Sequence, residues 1–137
     1  MMVHLNLFMP EIDKDLRNKL VTEITDTLGK VMNLTGEARE SLSIFLDTYK
    51  KSDLAVNGHF LNGGKGRKAV HVIEVHGTIM PHELKKRMAA DLTNTYCKVL
   101  GLDKDARHVV RVTFMEHSAH NIALGGVMLD EMHLARK

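Results

Sequence analysis

Cysteine, tryptophan and long apolar runs are the features that this sequence lacks or barely has. Its 137 residues include one cysteine, no tryptophan and 4% aromatic residues. The lone Cys97 excludes an internal disulfide and favours a reducing compartment, so we predict a cytoplasmic location. No apolar run approaches the length of a membrane span. The first residues lack the basic segment and long apolar stretch of a signal peptide, so none is expected.

A strong charge of either sign is also missing. The formal net charge is +2, and 26% of the residues are charged, so neither a nucleic acid nor a membrane surface is predicted as a partner. An apolar content of 44% supplies an ordinary core for one compact domain over residues 1–137. Nine methionines indicate an adaptable interior or a contact between subunits.

Hydrophobic periodicity predicts strands and helices in the order β-α-β, twice. Alternating residues place a strand from Val3 to Pro10, and Asp13 is the expected N-cap of a helix that runs to about residue 33. Further strands are expected at 41–47, 70–75 and 108–115. Two apolar stripes with four-residue spacing define the helices: Leu16, Leu20, Ile24, Leu28 and Met32 in the first, and Leu84, Met88, Leu92, Tyr96 and Leu100 in the second.

Sequence landmarks recur at a constant offset of 68 residues. The matching pairs are Leu16 and Leu84, Thr25 and Thr93, Thr27 and Thr95, Lys30 and Lys98, Ala55 and Ala123, and Gly58 and Gly126. We interpret the offset as duplication of one β-α-β unit, with repeats at 2–58 and 70–126 and a basic linker at 59–69. The linker glycines match neither a Walker loop nor a dinucleotide fingerprint, which favours a flexible linker over a phosphate site.

This pattern predicts an α+β fold in which two β-α-β units join into a four-stranded sheet. Each unit is a right-handed crossover between parallel strands, and both helices cover one face of the sheet. The opposite face is too apolar to stand in water, so an oligomer is expected. A ferredoxin-like fold has the same element order but does not require a near-exact repeat. Its RNA-binding versions also use strand aromatics that are missing here.

The stretch VRVTFMEHSAHNIALGG, residues 110–126, joins an apolar strand that carries an arginine to a closing pair of glycines. An arginine in an apolar strand needs an acidic partner or an anionic ligand, because a buried unpaired charge is very costly. Two interpretations of Arg111 stay open. It binds a carboxylate ligand, or it forms a salt bridge with Glu74, Glu116 or a neighbouring subunit.

The same stretch resembles the second strand, loop and closing Gly-Gly of the 4-oxalocrotonate tautomerase (4-OT) family. The resemblance is carried by Arg111, the strand residues 112–114, Ile122, Leu124 and the glycines at 125–126. The repeated β-α-β architecture resembles the double-length branch of the tautomerase superfamily, whose members form trimers. The resemblance implies a homotrimer that moves a proton between keto and enol forms of small 2-oxo or enol carboxylates. It implies no metal and no organic cofactor.

The family's mechanism also assigns roles to particular positions. An amino-terminal proline acts as general base, and arginines bind the carboxylate of the substrate. Met2 stands at the position of that proline, and a retained Met1 would offer a primary amine in its place. The resemblance therefore implies Met1, Met2 and Arg111 as the candidate catalytic residues.

The candidate substrate-binding residues are Arg111 and three others. Ile122 replaces an aromatic residue of the family's pocket, Ser43 occupies the repeat position of Arg111, and Lys50 lies at the rim where the family binds substrate. The turn after the first strand reads Pro10-Glu11 where the family often carries another arginine. These departures keep a second function open, that of a non-catalytic trimeric ligand-binding or scaffold member of the superfamily.

Nine histidines raise the question of a metal site, with His117 and His120, or His71 and His76, as the candidate pairs. No third ligand stands at a recognisable spacing, so no metal is predicted. His4 lies closest in sequence to the expected amino-terminal pocket. It is an alternative proton carrier or, more simply, a packed histidine.

Overall fold

The computed structural model describes residues 3–63 and 68–135. The candidate residues Met1 and Met2, and residues 64–67 of the predicted linker, lie outside the described part. The helices and strands are β1 (Val3–Pro10), α1 (Lys14–Val31), α2 (Gly36–Glu40), β2 (Ser43–Tyr49), β3 (Ala55–Val56), β4 (His59–Phe60), β5 (His71–Thr78), α3 (His82–Leu100), α4 (Lys104–Arg107), β6 (Val110–His117), β7 (Ala123–Leu124), β8 (Val127–Met128) and α5 (Leu129–Ala135).

The long strands form one four-stranded sheet in the order β2-β1-β5-β6. β1 is parallel to β2, β5 is parallel to β6, and the two central strands β1 and β5 are antiparallel. The two strands of each β-α-β unit are therefore neighbours, whereas a ferredoxin-like fold splits them. Helices α1 and α3 pack side by side on one face. The predicted α+β fold is confirmed, and the ferredoxin-like alternative is wrong.

The core lies between this sheet and the two long helices. Alternate residues of β1 and β5 face the helices and are buried, as period-2 strands require. The fully buried apolar side chains are Leu5, Leu7, Met9, Leu20, Ile24, Leu28, Ile73, Val75, Met88 and Leu92. Each such side chain contributes about 1.5–3 kcal/mol through burial. The four-residue stripes predicted for the helices are the faces that supply this core.

Local signals set the ends of the long helices. The Asp13 carboxylate accepts a hydrogen bond of 2.8 Å from the backbone N–H of Leu16, so the predicted N-cap is confirmed. Helix α1 ends at Val31, and the chain leaves it through Asn33, which has a φ of 53°. Helix α3 ends at Leu100 and is capped by Gly101, whose φ of 66° suits a residue without a Cβ.

Two short hairpins follow the second strand of each unit, and periodicity did not predict them. β3 and β4 are joined by Asn57-Gly58, and β7 and β8 are joined by Gly125-Gly126. All four joining residues have positive φ, between 52° and 82°, as a two-residue type I′ turn requires. The Gly-Gly pair that closes the stretch 110–126 is therefore the turn of the β7–β8 hairpin.

The two β-α-β units meet at equivalent positions of the 68-residue offset. Asn6 of β1 lies opposite Glu74 of β5 in the antiparallel register. On the helix layer, the Thr27 and Thr95 hydroxyls are 2.6 Å apart, and these residues are also separated by 68 positions. An approximate two-fold axis relates the two units, and it passes between Asn6 and Glu74 and between Thr27 and Thr95.

Candidate functional site

The face of the sheet that no long helix covers carries a mixed set of polar and apolar side chains. We call it the open face. Its residues are Ser43, Phe45 and Asp47 on β2, His4, Asn6 and Phe8 on β1, Val72, Glu74, His76 and Thr78 on β5, and Arg111, Thr113, Met115 and His117 on β6. Phe45 is 59% exposed and Met115 is 37% exposed. Large apolar side chains therefore stand in solvent at both edges of this face.

Arg111 lies on the edge strand β6, on the open face and opposite Val72 of β5. Its side chain is exposed. The expectation that the apolar strand would bury this charge is wrong, because an edge strand has a neighbour on one side only. Within residues 3–63 and 68–135, Arg111 forms no ion pair.

The two carboxylates considered as partners of Arg111 are engaged elsewhere. Glu116 points to the helix side, where it accepts hydrogen bonds from the Lys85 Nζ at 2.6 Å and the Met80 backbone N–H at 2.7 Å. The hydrogen bond from Lys85, followed by that from Met80, lowers the pKa of Glu116. Glu74 is bound within the open face, as described below. A salt bridge from Arg111 to either carboxylate of its own chain is therefore not formed.

The other candidate residues lie far from Arg111 within one chain. Ser43 begins β2 at the opposite edge of the sheet and is in register with His4. Lys50 is exposed just after β2, and its backbone N–H donates to Asp53 at 3.1 Å. Three inter-strand spacings of about 4.8 Å place β2 about 14 Å from β6. One chain does not bring these residues together.

Ile122 lies in the loop that leads from β6 to the hairpin of β7 and β8. It follows the 3-10 turn Ala119–Asn121 and is half-buried. Its carbonyl accepts a hydrogen bond of 2.8 Å from the Leu129 backbone N–H, which holds the start of α5 against this loop. Ile122 therefore follows the carboxyl end of β6, whereas Arg111 lies near the amino end of the same strand.

The amino-terminal end of β1 is also distant from Arg111. Val3, the first described residue, pairs with Gly77, and Gly77 pairs with Glu116. Arg111 pairs with Val72, five residues back along β5. At about 3.3 Å per strand residue, this separation is about 17 Å along the sheet. A small carboxylate does not span it within one chain.

A row of three imidazoles crosses the open face next to that end of β1. We call His4, His76 and His117 the histidine row. The ring of His76 stacks on that of His4, with centroids 4.4 Å apart and planes 9° apart, and on that of His117 at 5.8 Å and 15°. The Nε2 of His76 lies 3.1 Å from the Oε1 of Glu74 and 3.2 Å from the Nδ2 of Asn6, and this Nδ2 donates to the same Glu74 oxygen at 3.3 Å.

The charges of this cluster are unequal. The hydrogen bond from His76 is the largest influence on Glu74 and lowers its pKa, so Glu74 is ionised at neutral pH. Burial, followed by the positive charge that His76 and His117 acquire when protonated, lowers the pKa of His4. At neutral pH His4 is therefore uncharged while Glu74 is ionised. The cluster holds one fixed negative charge beside His76.

The histidine pairs considered for a metal are separated by the fold. His71 faces the helix layer, where its Nδ1 lies 2.5 Å from the Tyr96 hydroxyl, whereas His76 faces the open side of the same strand. His120 pairs with Asp130 at 2.7 Å. In the part of the chain that the structure describes, no group of three or more metal-ligating side chains is positioned to hold an ion.

Neither a bilayer span nor an activated thiol is present among the described residues. No described helix combines the length and the apolarity needed to cross a membrane. Cys97 is buried in α3, and burial raises the pKa of its thiol. A thiol in that state is a packing group rather than a nucleophile.

The histidine row is the main feature that sequence reasoning missed. Alternation along β1 and β5, which can be read from the sequence, places His4, Glu74 and His76 on one face of the sheet. The antiparallel register that sets His4 opposite His76 was not available, because it depends on how two strands distant in sequence share a core.

Comparison with known proteins identifies the architecture. No protein-family model and no curated protein matches the sequence. The crystal structure of native fused 4-OT superposes with a TM-score of 0.81 at 18% identity, covering 95% of this chain and 98% of that chain. The F6 fused 4-OT wild-type asymmetric trimer gives 0.77 at 17% identity, with 94% and 98% covered. Macrophage migration inhibitory factor of Toxoplasma gondii gives 0.67 at 12% identity, with 91% and 98% covered. The chain therefore has the tautomerase-superfamily fold.

Proposed function

We propose that this protein is a tautomerase, an isomerase that moves a proton between the keto and enol forms of a small 2-oxo or enol carboxylate. The proposal needs no metal and no organic cofactor. The tautomerase fold supports it, and one observation carries it. Arg111 presents an exposed guanidinium on the open face, while the two carboxylates considered as its partners, Glu74 and Glu116, are engaged by other groups.

An arginine in this state suits a carboxylate ligand. The planar guanidinium offers two parallel N–H donors that match the two oxygens of a carboxylate. Its delocalised charge also opposes the negative charge that develops on the substrate oxygen as an enolate forms. We assign both roles to Arg111.

The site is proposed to form between copies of the chain in a homotrimer. Within one chain about 17 Å separates Arg111 from the amino-terminal end of β1, so a second copy has to bring the arginine to that end. The exposed Phe45 and Met115 give each copy apolar surface to cover. Ser43, Lys50 and Ile122 are then proposed as contributions from neighbouring copies to the walls of the site.

We also infer that the chain arose by duplication of one β-α-β unit, with repeats at 2–58 and 70–126 in a single domain. The short hairpins support this inference, because Asn57-Gly58 and Gly125-Gly126 stand at equivalent positions. Ser43 is the equivalent of Arg111. Only the second unit therefore supplies the carboxylate binder, which limits each chain to one site.

The position of the family's proline is occupied by Met2, so the terminal amine of Met1 is one proposed base. The buried free thiol of Cys97 is compatible with a reducing cytoplasm, where we place the activity. We propose a small carboxylate as the ligand, and neither a nucleic acid nor a membrane as a partner.

The test is the conversion of a small 2-hydroxy-enoate to its 2-oxo acid by wild type and by Arg111→Ala. Loss of the guanidinium is expected to lower kcat/KM by about 100-fold, the effect typical of removing one donor to a developing oxyanion. Arg17→Ala is the matched control, since Arg17 is equally exposed on α1 and away from the open face. Equal rates for all three proteins would refute the role of Arg111.

A second function remains a candidate because of three sequence observations. Met2 replaces the proline, Ile122 replaces the pocket aromatic, and Pro10-Glu11 replaces the loop arginine. These favour a trimeric ligand-binding or scaffold protein without catalysis. Calorimetry that finds carboxylate binding sensitive to Arg111→Ala, without turnover, would favour this function. Turnover that appears only when proline replaces Met1-Met2 would show a surviving pocket that lacks a base.

A further inference from the structure

The histidine row stands beside the amino-terminal end of β1, the end at which the family's base would lie. His4 is the second described residue of that strand, and His76 is opposite it on β5. His117 ends β6 at the same end of the sheet. Three imidazoles and one carboxylate therefore lie close together at this end of the sheet.

The hydrogen bonds of His76 determine which of its nitrogens is available. The Nε2 of His76 contacts two groups, the Glu74 carboxylate at 3.1 Å and the Asn6 Nδ2 at 3.2 Å. Ionised Glu74 only accepts hydrogen bonds, and a charge-assisted bond to it outweighs a neutral contact with the Asn6 amide, so we assign the proton to Nε2. Neutral imidazole has one N–H, which leaves the lone pair on Nδ1. Among the described residues, the Nδ1 of His76 has no hydrogen-bond partner. Asn6 holds the Glu74 oxygen in place from the neighbouring strand at 3.3 Å.

Stacking fixes the plane of the same ring and leaves its edge accessible. His4 and His117 cover its two faces at 4.4 Å and 5.8 Å. The side chain of His76 nevertheless keeps 17% of its surface exposed. A ring with both faces covered and one donor engaged offers its remaining nitrogen in a defined direction, as a general base requires.

We propose that Nδ1 of His76 is the proton acceptor for the tautomerase reaction, with Glu74 and Asn6 as its positioning residues. This inference rests on the proposed function and replaces the terminal amine as the base. Nδ1 takes a proton from C3 of a small 2-oxo acid, and the C3–H electron pair becomes the C2=C3 bond. The carbonyl π pair moves to the oxygen. The imidazolium then returns the proton to that oxygen, which gives the enol and restores neutral His76.

Glu74 stabilises the imidazolium that forms in this step. The carboxylate accepts from Nε2 both before and after Nδ1 is protonated, so it opposes the new positive charge without changing its contacts. The first unit has Phe8 and Asn6 at the positions equivalent to His76 and Glu74. It lacks both the base and the carboxylate, so each chain holds one such dyad.

The experiment measures deuterium exchange at C3 of 2-oxobutanoate by NMR, for wild type, His76→Gln and Glu74→Gln. We expect His76→Gln to lower kcat at least about 100-fold with KM within about 2-fold, the range for loss of a general base. The control is His82→Gln, an exposed histidine on α3 that should exchange as wild type does. His76→Phe is the second variant, because Phe8 occupies the equivalent position of the first unit.

The positioning role has its own measurement. In ¹⁵N NMR, His76 of the wild type should be the Nε2–H form, and Glu74→Gln should give a mixture of both forms while lowering kcat about 10-fold. Glu74→Asp should recover part of both signals. An unchanged proton position in Glu74→Gln would overturn the assignment of Nδ1.

The outcomes separate this inference from the proposed function. Wild type with an extra residue ahead of Met1 displaces the terminal amine and should keep its exchange rate. If that protein loses exchange while His76→Gln and His76→Phe keep it, the amine is the base and the inference about His76 is wrong, although the proposed function stands. Absence of exchange in wild type would overturn both.

Discussion

The two β-α-β units have the same architecture but different chemistry. On the helix side, equivalent positions such as Ile24 and Leu92 are apolar and fully buried in both units. On the open face the equivalents differ: Ser43 against Arg111, and Phe8 against His76. Positions that build the shared core are constrained by packing, whereas positions on the open face are not. The comparison teaches that the two units share their core, and that the proposed carboxylate binder Arg111 and the His76–Glu74 pair belong to the second unit alone.

The largest effects should come from the shared core, where the units are equal. Ile24→Ala and Leu92→Ala should each lower the free energy of unfolding by about 2–5 kcal/mol, because each leaves a cavity beneath the sheet. The measurement is denaturant unfolding of each variant. Ile79→Ala is the matched control and should cost much less, because Ile79 is 70% exposed. Widely different losses of unfolding free energy at Ile24 and Leu92 would show that the two units do not contribute equally to the core.

A smaller effect should appear where the cores of the units differ. The second unit buries His71 against the Tyr96 hydroxyl, while the first unit has Val3 and Leu28 at these positions. Tyr96→Phe removes the partner of a buried imidazole and should cost about 1–3 kcal/mol of unfolding free energy. A change within error in thermal or denaturant unfolding would mean that the contact contributes nothing.

The same pair predicts a dependence of stability on pH. Burial lowers the pKa of His71 from 6.5, so the unfolded chain takes up a proton there more readily than the folded chain. The stability contributed by neutral His71 is present above pH 6.5 and is lost as the pH falls below that value. The variant His71→Val with Tyr96→Phe, which removes both the buried imidazole and its hydroxyl partner, should lose less stability than wild type between pH 7 and pH 5. An identical loss would contradict this cause.

The smallest effect on stability should come from the contact between Thr27 and Thr95, where the two units meet on the helix layer. Thr27→Val and Thr95→Val each break the hydroxyl contact between the helices and should cost about 0.5–1.5 kcal/mol. Thr27→Val should cost the more of the two, because the Thr27 hydroxyl also donates to the Glu23 carbonyl at 2.9 Å. The double variant should cost less than the sum, because it leaves no unpaired hydroxyl. Calorimetric unfolding of the three proteins measures the coupling. Additive losses would show that the two hydroxyls do not act together.

Prediction from the sequence succeeded where the signal is local. The Asp13 cap and the stripes from Leu16 and Leu84 are encoded within a few neighbouring residues. The Asn57-Gly58 turn is encoded as locally. The turn was not recognised as a hairpin, although its Asn-Gly pair is a strong signal for one. Arg111 shows the limit of such signals. Periodicity predicted the face of the strand on which Arg111 lies. Its exposure was decided by the position of β6 at the edge of the sheet.

The sequence by itself determined the order of the elements, the apolar faces that form the core and the 68-residue offset between the units. These follow from short-range periodicity and from residue identity, which need no knowledge of the partner strand. Only the tertiary structure decided that His4, His76 and Glu74 meet, and that Arg111 pairs with Val72, four residues from His76 along β5. The physical reason is that strand register depends on long-range packing, and a shift of one residue would turn every side chain of β5 to the other face.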